Sequence, residues 1–291
     1  MPNLETVSLI ATYSAMGVYT LSFILFAVDL AGRAATDGTP KPTRWLPSAM
    51  ALLWLGWGVH LAATVTRGVA ASRVPWANMF EFGLTATLVL VVVFLGISIV
   101  RDVRFVGAFV TGFALLSLGI VTVNFYVAVS PLPPALQSVW LVIHVMVAVL
   151  GTGFFATGAA LSVAQLLKHS TEDGKLATPS WRFLAAFPKA DELEALAYRV
   201  IVVGFVMWTF TVIAGAIWAE RAWGRYWGWD TKEVWSFIIW VLFAGYIHAR
   251  ATRGWRGRPA AILALVGFGA VVFNYGIVNV FFKGLHVYSG L

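Results

Sequence analysis

Eight apolar runs of about 20 residues, separated by short polar intervals, constrain what this chain can fold into more than any other feature. Hydrocarbon offers no water to satisfy backbone N–H and C=O groups, so runs of that length must be helical. They are read as spans 8–30, 46–67, 79–100, 105–127, 139–166, 195–217, 233–251 and 259–281. The expected fold class is therefore all-α, a polytopic helical bundle in the bilayer. With 60% hydrophobic and 11% charged residues and a mean hydropathy of +0.83, the composition lies outside the soluble range. The longest polar interval, roughly Lys168 to Glu194, is too short to carry a core of its own, so residues 1–291 are expected to form a single transmembrane domain. No Lys or Arg precedes the first run, and its length exceeds the apolar core of a signal peptide, so it is expected to be retained.

A net charge of +7 could suit nucleic acid, but the placement of the charges is a topology signal instead. Of the 20 Lys and Arg residues, fourteen fall in alternate gaps on one side of the spans and six on the other. Positive residues collect on the cytoplasmic side, which places both termini and the loops after spans 2, 4 and 6 outside. Those outer parts are turn-rich or aromatic: Val74–Glu81, Ser130–Pro134 and Gly284–Tyr288. Glycines inside the spans, such as Gly151, Gly153 and Gly158, read as sites of close helix packing. Cysteine is absent, which excludes disulfides, thiolate metal sites and redox chemistry by this chain, so any thiol must come from a partner.

The outer interval 219–235 contains Trp223-Gly-Arg-Tyr-Trp-Gly-Trp-Asp-Thr-Lys-Glu-Val-Trp235, four tryptophans in thirteen residues. Tryptophan combines a large π-face with a small ordering cost and anchors at the lipid–water boundary. The segment reads as an aromatic shelf for a flat apolar ligand, for which haem is the leading candidate. Asp230 could orient a propionate or a histidine, whereas Glu233 reads as a first-turn helix acid. Arg221, Arg225 and Lys232 could pair with propionates or simply snorkel to the interface.

Five histidines are present: His60, His144, His169, His248 and His286. His169 lies in a polar loop and reads as solvated. The other four sit in or beside apolar spans, where an ionisable group is a functional candidate by default. His144 follows Trp140 by one turn and so lies about 6 Å deeper than the headgroup level. His286 comes just past the outer end of span 8. One such histidine alone would more often bond only backbone or headgroups. Two on one side with tryptophans between them favour a bis-histidine, low-spin haem site. His248, about 22 Å below the outer end of span 7, is a buried inner-leaflet ligand candidate. His60 differs from it in depth by on the order of 15 Å. Metal–nitrogen bonds are only about 2 Å, so one iron cannot take both. His60 is therefore read as a packing or supporting residue, and the ligand opposite His248 as belonging to another polypeptide or missing.

Residues Glu192 to Gly290 resemble the C-terminal part of the CcsA/ResC family of System II cytochrome c biogenesis. The matching strings are Leu196-Ala-Tyr-Arg199, Gly215-Ala-Ile-Trp-Ala219, Trp223–Trp235, Tyr246-Ile-His-Ala-Arg250 and Gly284–Tyr288. Pro75–Glu81 and the Trp140/His144 pair extend the likeness loosely over most of the chain. The resemblance implies a haem exporter and cytochrome c haem lyase that works with a CcsB/ResB partner. It implies His248 as the transmembrane ligand of haem b, with its opposite ligand supplied by that partner, and His144 and His286 as the external pair. Trp223, Trp227, Trp229 and Asp230 match the haem-contacting motif. Thr231 stands where the family often has proline, and Val287 where a small polar residue often follows the external histidine.

The implied reaction joins haem vinyl groups to the thiols of a CxxCH motif in apocytochrome c outside a bacterial cytoplasmic or thylakoid membrane. A thiol-reducing partner protein would fit the lack of cysteine here. The nearest rival is a System I haem-handling protein of the CcmC or CcmF kind, although eight spans in 291 residues suit neither length. A b-type electron-transfer subunit would need histidine pairs at matched depth. A solute transporter would need an internal repeat or interrupted helices around a midplane site, and neither stands out in the sequence.

Overall fold

The computed structural model describes residues 3–34, 43–132, 136–175, 179–252, 254–282 and 284–285. Among them the chain is helical, without strands: α1 (Leu4–Ala34), α2 (Trp45–Ala71), α3 (Met79–Val100), α4 (Gly107–Asn124), α5 (Val139–Glu172), α6 (Ala190–Trp223), α7 (Thr231–Thr252) and α8 (Arg258–Phe273). A π-helical stretch, Asn274–Val278, continues α8 into the short α9 (Asn279–Phe281). Eight helical segments, from Leu4–Arg33 to Arg258–Phe281, are long and apolar enough to cross a membrane, matching the expected number and order. The helices overrun the apolar spans, most clearly in α5 and α6. Hydropathy marks only the length in hydrocarbon, while helical hydrogen bonding continues into polar flanks. Two other features were not read from the sequence: the π-helical interruption of the last span, and a 3-10 stretch, Pro179–Ala186, in the polar interval.

Local chemistry sets the helix starts. Asn78 caps α3, accepting from Glu81 N at 2.9 Å, and Ser138 caps α5, accepting from Trp140 N at 3.2 Å. Helix α5 is central, packing against α3, α4, α6 and α8, while α1 and α2 form a hairpin to one side. The α5–α6 seam is close because small residues face it. A Cβ on Gly158 would lie 2.5 Å from Ile201, and one on Gly151 would lie 3.3 Å from the Gly204 carbonyl. In the polar interval, Leu184 and Phe187 bury into the main core.

The alternate loops gather at one end. Buried Arg67, at the end of α2, pairs with Glu81 of α3 at 3.1 Å and donates to Val127 O after α4 at 2.7 Å. Glu5 of α1 accepts from Val129 N at 3.3 Å. At the opposite end, buried Glu194 of α6 binds Arg250 of α7 at 3.1 Å and accepts from Gly257 N before α8 at 2.6 Å.

Candidate functional site

The ends of α3, α5, α6, α7 and α8 surround a chamber that opens to the surroundings. Its walls are mainly apolar and aromatic: Trp76, Met79, Phe82, Leu141, Trp208, Trp218, Tyr226, Trp227 and Tyr275. Set into them are His144, Thr211, Lys232, Glu233, Ser236, Asn274 and Asn279. An apolar cavity with a few convergent polar groups is the ordinary form of a site for a flat, largely hydrophobic ligand.

His144, expected near the tryptophan segment, lines this chamber with Trp227. Its Nδ1 lies 2.9 Å from the Thr211 carbonyl oxygen, and its ring stacks on Trp218 at 5.9 Å and 20°. A carbonyl can only accept, so Nδ1 carries the proton and Nε2 the lone pair, the tautomer of a metal-ligating imidazole steadied through its other nitrogen. Gly215 makes room for the ring: a Cβ there would come within 2.7 Å of His144 Cε1.

The tryptophan segment is less uniform than a flat shelf. Trp223 is the last residue of α6 and meets Trp218 edge-on at 4.8 Å. Trp227 enters the chamber, whereas Trp229 is 73% exposed and touches Trp227 at 6.0 Å and 90°. Trp229 also has φ 60°, a left-handed conformation costly for a bulky side chain and commonest at functional sites. Glu233 holds it there. One carboxylate oxygen of this first-turn acid accepts from Gly228 N at 2.8 Å and Asp230 N at 3.0 Å, bracketing Trp229. Asp230, N-terminal to α7, faces Gly284, where a Cβ would lie 2.3 Å from Oδ1. Arg225 also leans over the segment, 3.9 Å from Glu233, while Arg221 stays exposed at the surface.

The other histidines divide. His286 and Val287 lie outside the described residues, whose last two, Gly284 and Leu285, immediately precede them. His248 was expected to be buried, and it is not: it is exposed on the outer face of α7, the span whose apolar window is the least buried of the eight, at 17%. Apolar residues surround α7 on all sides, so hydropathy gave no sign of which face turns outward. His60 is fully buried against α1, its Nδ1 3.2 Å from the Tyr19 hydroxyl, away from the chamber. This is the packing position expected of it. His169 is half-exposed beside Asp173 at 3.8 Å, solvated as expected, but it lies in the last turn of α5 and not in a loop, because the helix continues past the apolar span.

Sequence reasoning missed Thr211, Gly215, Asn274 and Tyr275 as wall residues and left Lys232 undecided. Asn274 carried a readable signal, since an amide in an apolar run is expensive unless it does something.

An eight-span helical bundle with an aromatic, histidine-bearing chamber at the ends of five helices defines a polytopic membrane protein built to hold a flat ligand near one membrane surface. Residues 76–286 match the cytochrome C assembly protein family, and the chain belongs to it. It is 34% identical over 253 residues to the cytochrome c biogenesis protein CcsA of Trieres chinensis, covering 78% of this chain and 81% of that one. Identity to CcsA of Synechococcus elongatus is 36% over 273 residues, with 77% and 81% covered. The CcsA/ResC resemblance is thus borne out, and the protein is a multi-pass membrane protein of cytochrome c biogenesis. Its fold is also that of the solved Cytochrome c Heme Lyase CcmF, with a TM-score of 0.70 and 18% identity over all of this chain. The chain spans 50% of that larger CcmF chain.

Proposed function

We propose that this chain acts as one transmembrane domain that presents haem b to apocytochrome c, as the haem-handling part of a cytochrome c synthase completed by a CcsB/ResB-like partner. The observation that carries the reading is His144. It stands in the aromatic wall of an open chamber, with its Nδ1 proton committed to a backbone carbonyl. In this reading His144 and His286 are the axial ligands of the outer haem, on the extracytoplasmic face of a bacterial cytoplasmic or thylakoid membrane. Trp223, Trp227, Trp229 and Asp230 line or support its rim.

The chemistry this requires is addition of each CxxCH thiol across a haem vinyl group: sulfur bonds one vinyl carbon, the thiol proton ends on the other, and nothing leaves. The nucleophiles come from the substrate, which suits a chain without cysteine. What this chain contributes is position. It fixes the ring by ligation and aromatic walls, excludes water, and leaves one edge open, and holding reactants at near-attack distance can supply roughly 7 kcal/mol or more of the barrier reduction. His248 is proposed as one ligand of an inner haem. An imidazole that faces outward at membrane depth lacks protein cover in this chain alone, which supports a second polypeptide docking on α7 and supplying the opposite ligand.

The test is the absorption spectrum of the purified protein with and without a co-expressed partner. A low-spin haem band is expected, lost from the outer site in His144→Ala together with cytochrome c maturation and partly restored by added imidazole. Full maturation in the alanine variant would remove His144 from the iron, and a colourless complex would overturn the haem reading.

A further inference from the structure

At the chamber wall one cation makes hydrogen bonds to neutral groups only. Lys232, the second residue of α7, points its ammonium at two neutral oxygens, Asn279 Oδ1 at 2.7 Å and the Asn274 carbonyl at 3.0 Å, and sits over the Tyr275 ring at 4.5 Å. Among the described residues no carboxylate oxygen lies within 4 Å of it. The chamber's acid cannot serve, because one Glu233 oxygen is occupied by two backbone N–H groups and the other faces Arg225 at 3.9 Å. Asp230 attracts Lys232 only at longer range, with its carboxylate directed at Gly284. A cation at the edge of an apolar cavity, bonded to neutral groups alone, keeps a strong preference for an anion.

Beside it is a second, independent observation. Asn274 is 0% exposed, lines the same chamber, and neither atom of its side-chain amide has a hydrogen-bond partner. Buried amides are almost always satisfied, so a residue left with both a donor and an acceptor open marks a place where something else supplies them. Asn274 also opens the π-helical stretch of the last span. Such single-turn widenings free backbone carbonyls and recur at functional sites, and the carbonyl here is the one that grips Lys232.

From these two observations we infer that Lys232 and Asn274 form a carboxylate-binding ledge in the chamber floor, which takes a propionate of the porphyrin. This rests on the haem reading above and adds what sets the ring's rotation. The ledge lies about one helical turn along α6 from the His144 contact: Tyr275 meets Trp208 at 6.4 Å, and Thr211, which accepts from His144, is three residues further on. A propionate fixed there sets the ring's rotation, because the vinyl groups lie on the part of the porphyrin away from the propionates. Arg221 and Arg225, the other cations near the tryptophans, do not line this chamber.

The test is a titration of the full-length protein in nanodiscs with protohaem and with its dimethyl ester, followed at the Soret band. Wild type is expected to bind the diacid about tenfold or more tightly than the ester, the size of one charge-assisted contact. Lys232→Met should lower diacid affinity to the ester's level while leaving ester affinity unchanged, and Asn274→Asp should invert the preference by setting a like charge on the ledge. Equal binding of both porphyrins by wild type would overturn the ledge but leave the haem site standing. Equal weakening of both by Lys232→Met would assign the lysine to holding the π-helical turn and also overturn it. If wild type binds neither porphyrin, the haem reading itself falls, and the ledge with it.

Discussion

At the chamber end, buried polar atoms remain without hydrogen-bond partners: the Asn274 amide, one Glu233 oxygen and the Arg225 nitrogen that faces it at 3.9 Å. At the opposite end the equally buried Glu194 is saturated, binding Arg250 at 3.1 Å, Gly257 N at 2.6 Å and Gln165 at 3.4 Å. Arg250 then covers Tyr198 at 4.0 Å. Both ends are helix termini with orphan backbone groups and the same kinds of side chain. They differ in whether the polar groups close on one another. Where they do, one carboxylate ties α5, α6, α7 and the start of α8 together. Where they do not, as around Asn274, a cavity remains, although Glu81 at the same end is saturated by Arg67, Arg73 and Ala77 N.

The largest expected effect breaks the closed end. Glu194→Ala leaves a partly buried guanidinium without its carboxylate and an uncapped α8 start, and should cost up to about 3 kcal/mol, read as a lowered midpoint in thermal unfolding followed by circular dichroism. An unchanged midpoint would mean that this network does not close the bundle. A smaller effect is expected from Gly215→Ala at the open end, whose methyl group would lie 2.7 Å from the His144 ring. Overpacking of this sort costs about 1–3 kcal/mol, and here it should displace His144. The low-spin haem band should be lost while the helical circular dichroism is retained, and retention of both would show that the ring has room to move.

The smallest effect sharpens the comparison from the closed end's surface. Asp102 forms a two-pronged pair with Arg104 at 2.8 and 2.9 Å, and these bonds hold its carboxyl below the ordinary value of 3.8. A depressed carboxylate stabilises above its unfolded pKa, and that contribution fades as the pH falls through the folded value. Because the pair is largely exposed, Asp102→Asn should cost no more than about 1 kcal/mol at pH 7, and the difference from wild type should vanish in acid below 3.8. A larger loss, or one that persists in acid, would show that surface charge matters here as much as the buried network.

Much of the site was legible in the sequence. The parity of the spans put Trp76, His144 and Trp227 at one end of the bundle, where they line one chamber. What escaped was direction. Trp223 and Trp229 stand in the same motif as Trp227, yet one ends a helix against Trp218 and the other projects outward. The spacing around His248 is the same whether the residue faces the bundle or the surroundings. Lys232 could be read as a snorkelling residue because nothing in the sequence tells that its neighbours on α8 are neutral oxygens.

By itself the sequence determined the number and order of the spans, because the need to satisfy every backbone group in hydrocarbon acts on each apolar run separately. Only the tertiary structure decided which face of each helix turns inward, which polar groups close on one another and which stay open. In a bilayer the lipid-facing side of a helix is as apolar as its packed side, so small-residue fit and hydrogen bonding make that choice, and hydropathy does not record either.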